Sequence, residues 1–325
     1  MAPREPHKRM LRAALGIIAL CLVGLIVTAQ QEPVTELCSM SLLLNTRQEV
    51  DWSALCAGAQ VAANEHDVDL SIVTLSADND AGEQASLLER ETARGAQAIL
   101  LCAADREALA APVERCGVPV VTVSTGLDGD AAALALAPDH YALGQLLGNA
   151  IITQHPGGHT VLLAVSADGS RSGLQRTEMR VNGLRDTLAA SGYELRQTLV
   201  YEEDFASPGA LRARLGYLNA SAIVSTELPL FALLSSTLDP DALALYGFDV
   251  NTGALRALDD GRAAGLAVSD DFSLGYLAVT QARGLLEKKR PTEEPALRQF
   301  FVSRDNMYDA TIQWLLFPLS DLSLI

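Results

Sequence analysis

The chain has 325 residues, of which 49% are hydrophobic and 5% aromatic, so it can form one large or two medium-sized domains with cores rich in Ala, Leu and Val. Its 40 acidic and 24 basic residues give a net charge of −16, which argues against a nucleic-acid partner, because nucleic acid binds basic faces. The acidity is better explained by a soluble surface, because like charges keep copies of the protein apart in solution.

The N-terminus combines basic residues with an apolar run that ends at Ala29. The run has about 17–19 residues, close to the roughly 20 that span a bilayer. Two interpretations stay open: residues 1–30 are a cytoplasmic tip with a retained transmembrane anchor, or a signal peptide cleaved after the small residues Val27-Thr28-Ala29. In both, the chain from about residue 31 lies outside the cytoplasm, in the cell envelope. The basic residues are Arg4, Lys8, Arg9 and Arg12.

Four cysteines lie in the first third of the exported part, and the sequence leaves open whether they form disulfides or are buried thiols. No pair has the short spacing of a zinc site. In an exported domain they could form two disulfides, with three possible connectivities. The alternative is that they are small buried apolar residues, which the position of Cys102 at the end of an apolar strand favours. The four are Cys38, Cys56, Cys102 and Cys116.

From residue 37 onward, apolar strands alternate with helices whose apolar residues recur at helical spacing. The first half contains predicted strands at 37–44, 70–75, 98–101 and 118–123, and predicted helices at 52–66, 81–94 and 106–116. Glycines end two of these helices, at Gly95 and Gly117. Because the strands are apolar throughout and the connections are short, the pattern predicts a parallel sheet covered by helices on both faces.

The second half repeats this pattern. Strands are predicted at 160–165, 194–201, 222–225, 242–248, 266–269 and 300–302, and helices at 142–153, 176–190, 208–218, 228–238, 252–259 and 273–288. Two doubly wound halves in tandem predict an α/β protein of two lobes with a crevice between them. The apolar tail at 309–325 is predicted to pack back on a lobe, with a docking surface for a partner as the alternative.

The ordered set of short motifs is similar to that of the type I periplasmic sugar-binding proteins, the ribose-binding-protein-like substrate-binding proteins of ABC transporters. The resemblance covers about residues 36–305. The motifs are Gly58-Ala59-Gln60, 95–101 (GAQAILL), 117–123 (GVPVVTV), Ala137-Pro138-Asp139, Arg180 with Gly183-Leu184, Gly247-Phe248-Asp249 and Asp260-Gly261.

The resemblance implies two doubly wound parallel-sheet lobes joined by a three-crossover hinge, in addition to the N-terminal hydrophobic helix. The crossovers are expected near Asp139, near Ser269 and between Pro291 and Pro295. The N-lobe is then residues 36–138 plus 270–293, and the C-lobe with the tail is residues 139–269 plus 294–325.

Four side chains are candidates for the ligand site of such a protein. Asp249 follows an apolar strand, and ligands bind at the carboxyl ends of strands in open α/β sheets, so its carboxylate is expected to accept hydroxyl protons. Arg180 matches the family's ligand-binding arginine, whose fork holds two oxygens. Trp52 and Phe205 lie where the family places rings that stack on the sugar. The structural alternatives are a helix cap for Asp249, a solvated arginine for Arg180 and lobe-surface packing for Trp52.

Other site positions depart from the ribose-type pattern, which argues against ribose itself as the ligand. At these positions the ribose-type pattern has an aspartate–arginine pair, an asparagine, a glutamine and asparagines of the first loop. The acids Glu49 and Glu227 could suit an amine-bearing ligand, although each could also be a solvated loop residue. The residues at these positions are Ser124, Thr125, Glu227, Ser269, Gln48 and Glu49.

The sequence therefore predicts a solute-binding protein that captures a small polar ligand, a sugar or a derivative, and delivers it to an ABC permease. The alternative is a ligand-sensing domain that signals to a membrane histidine kinase or a chemoreceptor. Catalytic and metal-binding motifs such as GxSxG, the P-loop and HExxH do not occur, so we expect no enzyme activity, no cofactor and no metal.

Overall fold

The computed structural model describes residues 37–47, 52–166, 174–201, 204, 206–289 and 297–317. The strands are β1 (Cys38–Leu43), β2 (Val68–Val73), β3 (Ala98–Leu101), β4 (Val120–Val123), β5 (Leu134–Leu136), β6 (Thr160–Ser166), β7 (Glu194–Val200), β8 (Ala222–Ser225), β9 (Ala244–Phe248), β10 (Gly265–Ser269) and β11 (Gln299–Val302). The helices are α1 (Ser53–Glu65), α2 (Ala81–Ala93), α3 (Arg106–Arg115), α4 (His140–Gln154), α5 (Leu174–Ala190), α6 (Pro208–Gly216), α7 (Leu228–Thr237), α8 (Thr252–Asp259), α9 (Asp271–Leu286) and α10 (Ala310–Leu316).

The strands form two separate sheets, which define an N-lobe and a C-lobe. The N-lobe sheet has the order β2-β1-β3-β4-β5 and is parallel. The C-lobe sheet has the order β11-β10-β9-β8-β6-β7 and is parallel except for β11, which runs antiparallel to β10. The predicted fold of two doubly wound lobes is confirmed.

Each sheet is buried between two layers of helices, which gives four apolar clusters. In the N-lobe, α1 and α9 cover one face and α2 and α3 cover the other. In the C-lobe, α4 and α5 cover one face, whereas α6, α7, α8 and α10 cover the other. Burial on both faces explains why β3, β4, β8 and β10 are apolar or small at nearly every position.

In the N-lobe, α1 and α9 cross with their backbones in close approach. A Cβ atom added to Gly58 would lie 1.9 Å from the carbonyl oxygen of Phe272, and one added to Gly275 would lie 2.0 Å from that of Leu55. Only glycine fits such an approach without moving a helix. This contact fixes α9, which follows the C-lobe strand β10 in sequence, on the N-lobe.

The C-lobe repeats this arrangement with α4 and α5. A Cβ atom on Gly144 would lie 2.0 Å from the carbonyl oxygen of Arg180, and one on Gly183 would lie 2.0 Å from that of Tyr141. The position of α5, including the residues that it presents to the space between the lobes, therefore depends on two glycines.

Three chain segments connect the lobes: β5 to α4, β10 to α9, and α9 to β11. A hydrogen bond and a salt bridge join these segments to one another. The side chain of Gln299 donates to the carbonyl oxygen of Asp139 at 2.7 Å, and Arg298 forms a salt bridge of 2.9 Å with Asp270. The residue limits of the two lobes stay predictions. The predicted crossover between Pro291 and Pro295 lies outside the described residues.

Two elements are absent from the sequence-based prediction. The short strand β5 extends the N-lobe sheet at its edge, next to β4. Helix α10 lies in the apolar tail, and Ile312, Leu315 and Leu316 are buried in the C-lobe core. This part of the tail packs on a lobe as predicted, whereas residues 318–325 lie outside the described part.

The cysteines after residue 37 all lie in the N-lobe. Cys38, Cys102 and Cys116 are free thiols, and Cys56 is buried beside the same core. Burial raises the pKa of the Cys102 thiol. Of the alternatives left open by the sequence, burial therefore holds for Cys38, Cys56 and Cys102, whereas Cys116 is a free thiol that is only partly buried.

Among the described residues, no helix is both long enough and apolar enough to cross a membrane. The N-terminal segment of residues 1–30, predicted as an anchor or a signal peptide, lies outside the described part of the chain.

Candidate functional site

A cavity of about 460 Å³ lies between the two sheets, at the carboxyl ends of their strands. Both lobes and the crossovers contribute to its wall. The lining includes Asn45, Thr46, Trp52, Asp78, Asn79, Ser124 and Thr125 from the N-lobe, and His140, Arg176, Arg180, Thr226, Glu227, Asp249, Ser269 and Asp271 from the C-lobe and the crossovers.

Arg180 and Asp249 form a bidentate ion pair in the floor of this cavity. The two guanidinium NH groups of Arg180 donate to the two carboxylate oxygens of Asp249 at 2.7 and 2.8 Å. The side chain of Arg180 is 3% exposed and that of Asp249 23%. Burial raises the pKa of Asp249, but the charge and hydrogen bonds of Arg180 outweigh burial and lower this pKa to about 2. Asp249 is therefore ionised at every physiological pH.

A second arginine of α5, Arg176, approaches the N-lobe across the cavity. Its guanidinium lies 5.9 Å from the ring centroid of Trp52, within the range of a cation–π contact. Burial and the neighbouring charge of Arg180 lower the pKa of Arg176, while Asp249 and Asp271 act in the opposite direction. The Trp52 indole N–H donates to the side chain of Asn45 at 3.1 Å, which orients the ring.

His140, the first residue of α4, contributes a neutral hydrogen-bond acceptor. It is 3% exposed, and its Nε2 lies 2.9 Å from the carbonyl oxygen of Ser124, so Nε2 carries the proton. Burial, followed by the charge of Arg180, lowers the pKa of His140 to about 4, so the ring is neutral near pH 7. Its Nδ1 then holds a lone pair.

Three buried side chains of the cavity wall have polar atoms without a hydrogen-bond partner among the described residues. They are Nδ1 of His140, Nε of Arg180 and Oγ1 of Thr226. The residues are 3%, 2% and 8% exposed, so water reaches them poorly. Because an unmatched buried polar group costs about 1–3 kcal/mol, such a cluster favours a polar molecule that completes its hydrogen bonds.

Three non-glycine residues of the wall have left-handed backbone conformations. The φ angles are +62° at Asn79, +73° at Ser124 and +63° at Asp249. For a residue other than glycine, this conformation costs of order 1–3 kcal/mol. Asp67, Asn219 and Lys288, which do not line the cavity, have the same type of conformation, so half of these strained residues lie in the cavity wall.

Asp271, at the start of α9, is a carboxyl group in an unfavourable environment. Burial, followed by the charge of Asp249, raises its pKa to about 6, although Ser269 donates to its Oδ1 at 2.7 Å. The folded chain therefore holds a proton on Asp271 between about pH 4 and pH 6 that the unfolded chain has released. This contribution to the free energy of unfolding is complete below the unfolded pKa of 3.8 and is lost as the pH rises through about 6.

We therefore expect Asp271→Asn to raise the free energy of unfolding by about 1–3 kcal/mol at pH 7.5 and to leave it nearly unchanged at pH 4. Asparagine keeps the acceptor for Ser269 and removes the charge. Urea unfolding at the two pH values measures the difference, with the exposed Asp305→Asn as the control. An equal gain at both pH values would contradict the assigned cause.

The comparisons with known proteins agree with this architecture. A family model described as the periplasmic binding protein domain matches residues 42–290. The chain belongs to this family. The resemblance found in the short motifs is thereby confirmed. The family is periplasmic, which means that it is extracytoplasmic.

Individual relatives are distant. The ribose import binding protein of Haemophilus influenzae is 22% identical over 259 residues, which cover 78% of this chain and 87% of the relative. A carbohydrate transporter solute-binding protein from Agrobacterium radiobacter, solved with D-arabinose, has a TM-score of 0.73 at 20% identity and covers 86% of this chain and 99% of its own. A chain of the complex between the TorS sensor domain and TorT, solved without ligand, has a TM-score of 0.71 at 18% identity, with coverage of 85% and 95%.

The structure brings most of the predicted site residues of this binding protein together. Seven of the ten line the cavity: Trp52, Ser124, Thr125, Arg180, Glu227, Asp249 and Ser269. Phe205, Gln48 and Glu49 lie outside the described residues. Their roles in binding remain predictions.

The structure also decides two of the alternatives. Asn251, not Asp249, caps α8, because the Asn251 side chain accepts from the backbone N–H of Ala254 at 2.9 Å. Arg180 is buried and paired, so it is not a solvated helix arginine. Trp52 packs against the N-lobe core and lines the cavity, so its stacking on a ligand stays a prediction.

Sequence reasoning misses several polar residues of the cavity wall, among them Arg176, Asp271, Thr226 and His140. Arg176 precedes Arg180 by one helical turn, a spacing that places both on one face of a helix. Asp271 and Thr226 follow the ends of β10 and β8, and the strand-end rule that identifies Asp249 could have found them. His140 has no comparable signal, because its role depends on its contact with Ser124.

Proposed function

We propose that this chain is an exported solute-binding protein that captures a small polar ligand, a sugar or a sugar derivative, between its lobes. The function is binding without chemical conversion, and the ligand is passed to an ABC permease in the membrane. Closure of the lobes is driven by the higher affinity of the closed state for the ligand.

The observation that carries this proposal is the set of buried polar atoms of His140, Arg180 and Thr226 in the wall of one cavity, which find no hydrogen-bond partner in the described part of the chain. The cavity volume of about 460 Å³ falls within the range of about 300–1,000 Å³ that is usual for small-molecule sites. The indole of Trp52 adds an apolar face, which a sugar ring with its C–H surface can contact.

The names of the relatives support the sugar class. Among them are a ribose import protein and a protein solved with D-arabinose. The identities are only 20–22%, and the departures from the ribose-type pattern at Ser124, Thr125, Glu227 and Ser269 argue against ribose as the ligand.

A thermal-shift screen of the full-length chain against sugars, polyols, nucleosides and amino compounds tests the proposal. We expect a sugar or polyol to raise the unfolding temperature, because ligand at a hundredfold excess over Kd stabilises the folded state by about 2.7 kcal/mol. His140→Ala should lose this shift, because it removes a buried acceptor. The matched control, His159→Ala, changes an exposed loop histidine and should keep it. A flat response across the panel would refute small-solute binding.

For localisation we propose the cell envelope. Residues 1–30 either anchor the protein in the cytoplasmic membrane or are removed near Ala29. N-terminal sequencing of the mature protein distinguishes the two, because cleavage exposes a new N-terminus near Gln30.

The likeness to the TorS–TorT complex favours one second candidate. In this alternative the chain presents its bound or empty state to a membrane histidine kinase or a chemoreceptor. A retained anchor suits this role better than a cleaved signal peptide.

A further inference from the structure

Four charged groups of the cavity form a balanced cluster, and two acids lie outside it: Asp78, which is exposed and accepts the backbone N–H of Arg47 at 2.6 Å, and Glu227. Two guanidinium groups, those of Arg176 and Arg180, lie near the carboxyl groups of Asp249 and Asp271, and the four influence one another's protonation. Their charges offset each other when both acids are ionised. Glu227 lies at the end of a different strand, β8, and belongs to no such cluster.

Glu227 forms no salt bridge with any residue in the described part of the chain. Its side chain is half-buried and lines the cavity. Burial raises its pKa, and no charged neighbour contributes to this shift. A carboxylate that is partly removed from water without a counter-charge is unfavourable, so a cation placed beside it would be stabilised.

The surroundings of Glu227 disfavour an anion. Glu227 is the N-cap residue of α7, but its side chain does not cap the helix. The second residue of the helix, Pro229, has no N–H, so the helix N-terminus offers an anion one donor fewer. The carboxylate of Glu227 already brings a negative charge to this end of the helix, so a second anion would be repelled.

The neighbouring residue supplies a further unmatched group. Thr226 is 8% exposed, lines the cavity, and its Oγ1 has no partner among the described residues. An ammonium group has three N–H donors and no acceptor, so it can satisfy the hydroxyl oxygen and the carboxylate together.

The geometry points to a ligand that is an amino sugar or an aminated polyol, with its protonated amine held by Glu227 and the Oγ1 of Thr226. This inference rests on the proposed function and narrows its ligand class. The arginines repel the amine, so they orient it toward Glu227 and leave the hydroxyl-bearing part of the ring for Arg176, Trp52 and His140.

Matched compounds test the inference on the full-length chain near neutral pH. Each series contains a neutral parent, its aminated form and, for the sugars, the N-acetylated form, which keeps the nitrogen but loses the charge. The parents are D-glucose, D-galactose, D-mannose and myo-inositol. In at least one series we expect the aminated form to bind about tenfold or more tightly than its uncharged counterparts, as measured by calorimetry.

Glu227→Gln should abolish this preference, because glutamine retains the shape of the side chain and removes its charge. Thr226→Val should weaken the preference. Glu114→Gln, an exposed acid on α3, is the control and should leave it unchanged.

Equal binding of aminated and neutral forms, or a preference that survives in Glu227→Gln, would overturn the inference and leave sugar binding intact. If no compound of any series binds, the proposed function and the inference both fail. Should Glu227→Gln not fold, the comparison of aminated with N-acetylated compounds on the unmodified chain still decides the inference.

Discussion

Replacing Asp249 by asparagine is expected to lower the free energy of unfolding by about 3–5 kcal/mol and to abolish ligand binding. The substitution leaves the guanidinium of Arg180, whose side chain is 3% exposed, as a buried charge without its bidentate partner. Asparagine is chosen because the backbone at residue 249 has a φ of +63°, which Asn tolerates better than Ala. Urea unfolding and calorimetric titration with the ligand found in the screen measure the two effects.

A double variant separates the charge from the fold. Arg180→Met combined with Asp249→Asn removes both charges, so we expect most of the lost stability to return while binding stays absent. The control is Glu194→Gln, which breaks the exposed pair of Glu194 with Arg196 and should change stability by less than about 1 kcal/mol. A single Asp249→Asn variant as stable as the unmodified chain would show that the pair is not needed for folding.

Replacing Gly183 by alanine is expected to destabilise the C-lobe by about 1–3 kcal/mol or more and to weaken ligand binding. The added Cβ would lie 2.0 Å from the carbonyl oxygen of Tyr141, a backbone atom that moves only if α4 and α5 separate. Because α5 carries Arg176 and Arg180, this separation displaces both guanidinium groups. Thermal unfolding and the same titration record the two losses.

Gly209→Ala is the matched control. Gly209 lies in α6 and has no left-handed φ, and an added Cβ there would have no atom of the described residues within 4 Å. Alanine there should leave stability unchanged or increase it by up to about 1 kcal/mol, because it favours helix more than glycine does. Equal behaviour of the Gly183 and Gly209 variants would contradict the close crossing of α4 and α5.

The fold is largely predictable because parallel strands that are buried on both faces are apolar along their whole length. For this reason β3 and β8 are predicted with their observed limits. The strand β5 escapes prediction because it has three residues at the sheet edge and is only partly buried. The helix α10 escapes prediction because its residues lie within an apolar tail without a clear start signal. Its N-cap residue, Asp309, forms no side-chain capping hydrogen bond.

Helix starts depend on capping bonds that the apolar pattern does not reveal. Helix α4 begins at His140, two residues before the predicted start, because the side chain of Asp139 accepts from the N–H of Ala142. Helix α9 begins at Asp271 because the side chain of Asp270 accepts from the N–H of Ser273. Both changes bring a cavity residue into the first turn of a helix.

The site is predictable as a location more than as a set of interactions. Sequence reasoning places Arg180 and Asp249 in the crevice, but as two separate contacts to a ligand. Their pairing joins residues that are 69 positions apart, and the proton position on His140 depends on the carbonyl oxygen of Ser124. Such details arise from tertiary contacts, so no local pattern encodes them.

The distribution of cysteine thiols makes it possible to measure the opening of one lobe separately. No cysteine occurs after Cys116, so the C-lobe has none, whereas the N-lobe core holds Cys38, Cys56 and Cys102. A buried thiol reacts with an alkylating reagent only when its surroundings open, because the reagent needs access to the thiolate. Alkylation of these three buried thiols, measured separately from that of Cys21 and the partly exposed Cys116, therefore follows the opening of the N-lobe alone. Comparison with whole-chain unfolding shows whether the two lobes unfold as one unit or separately.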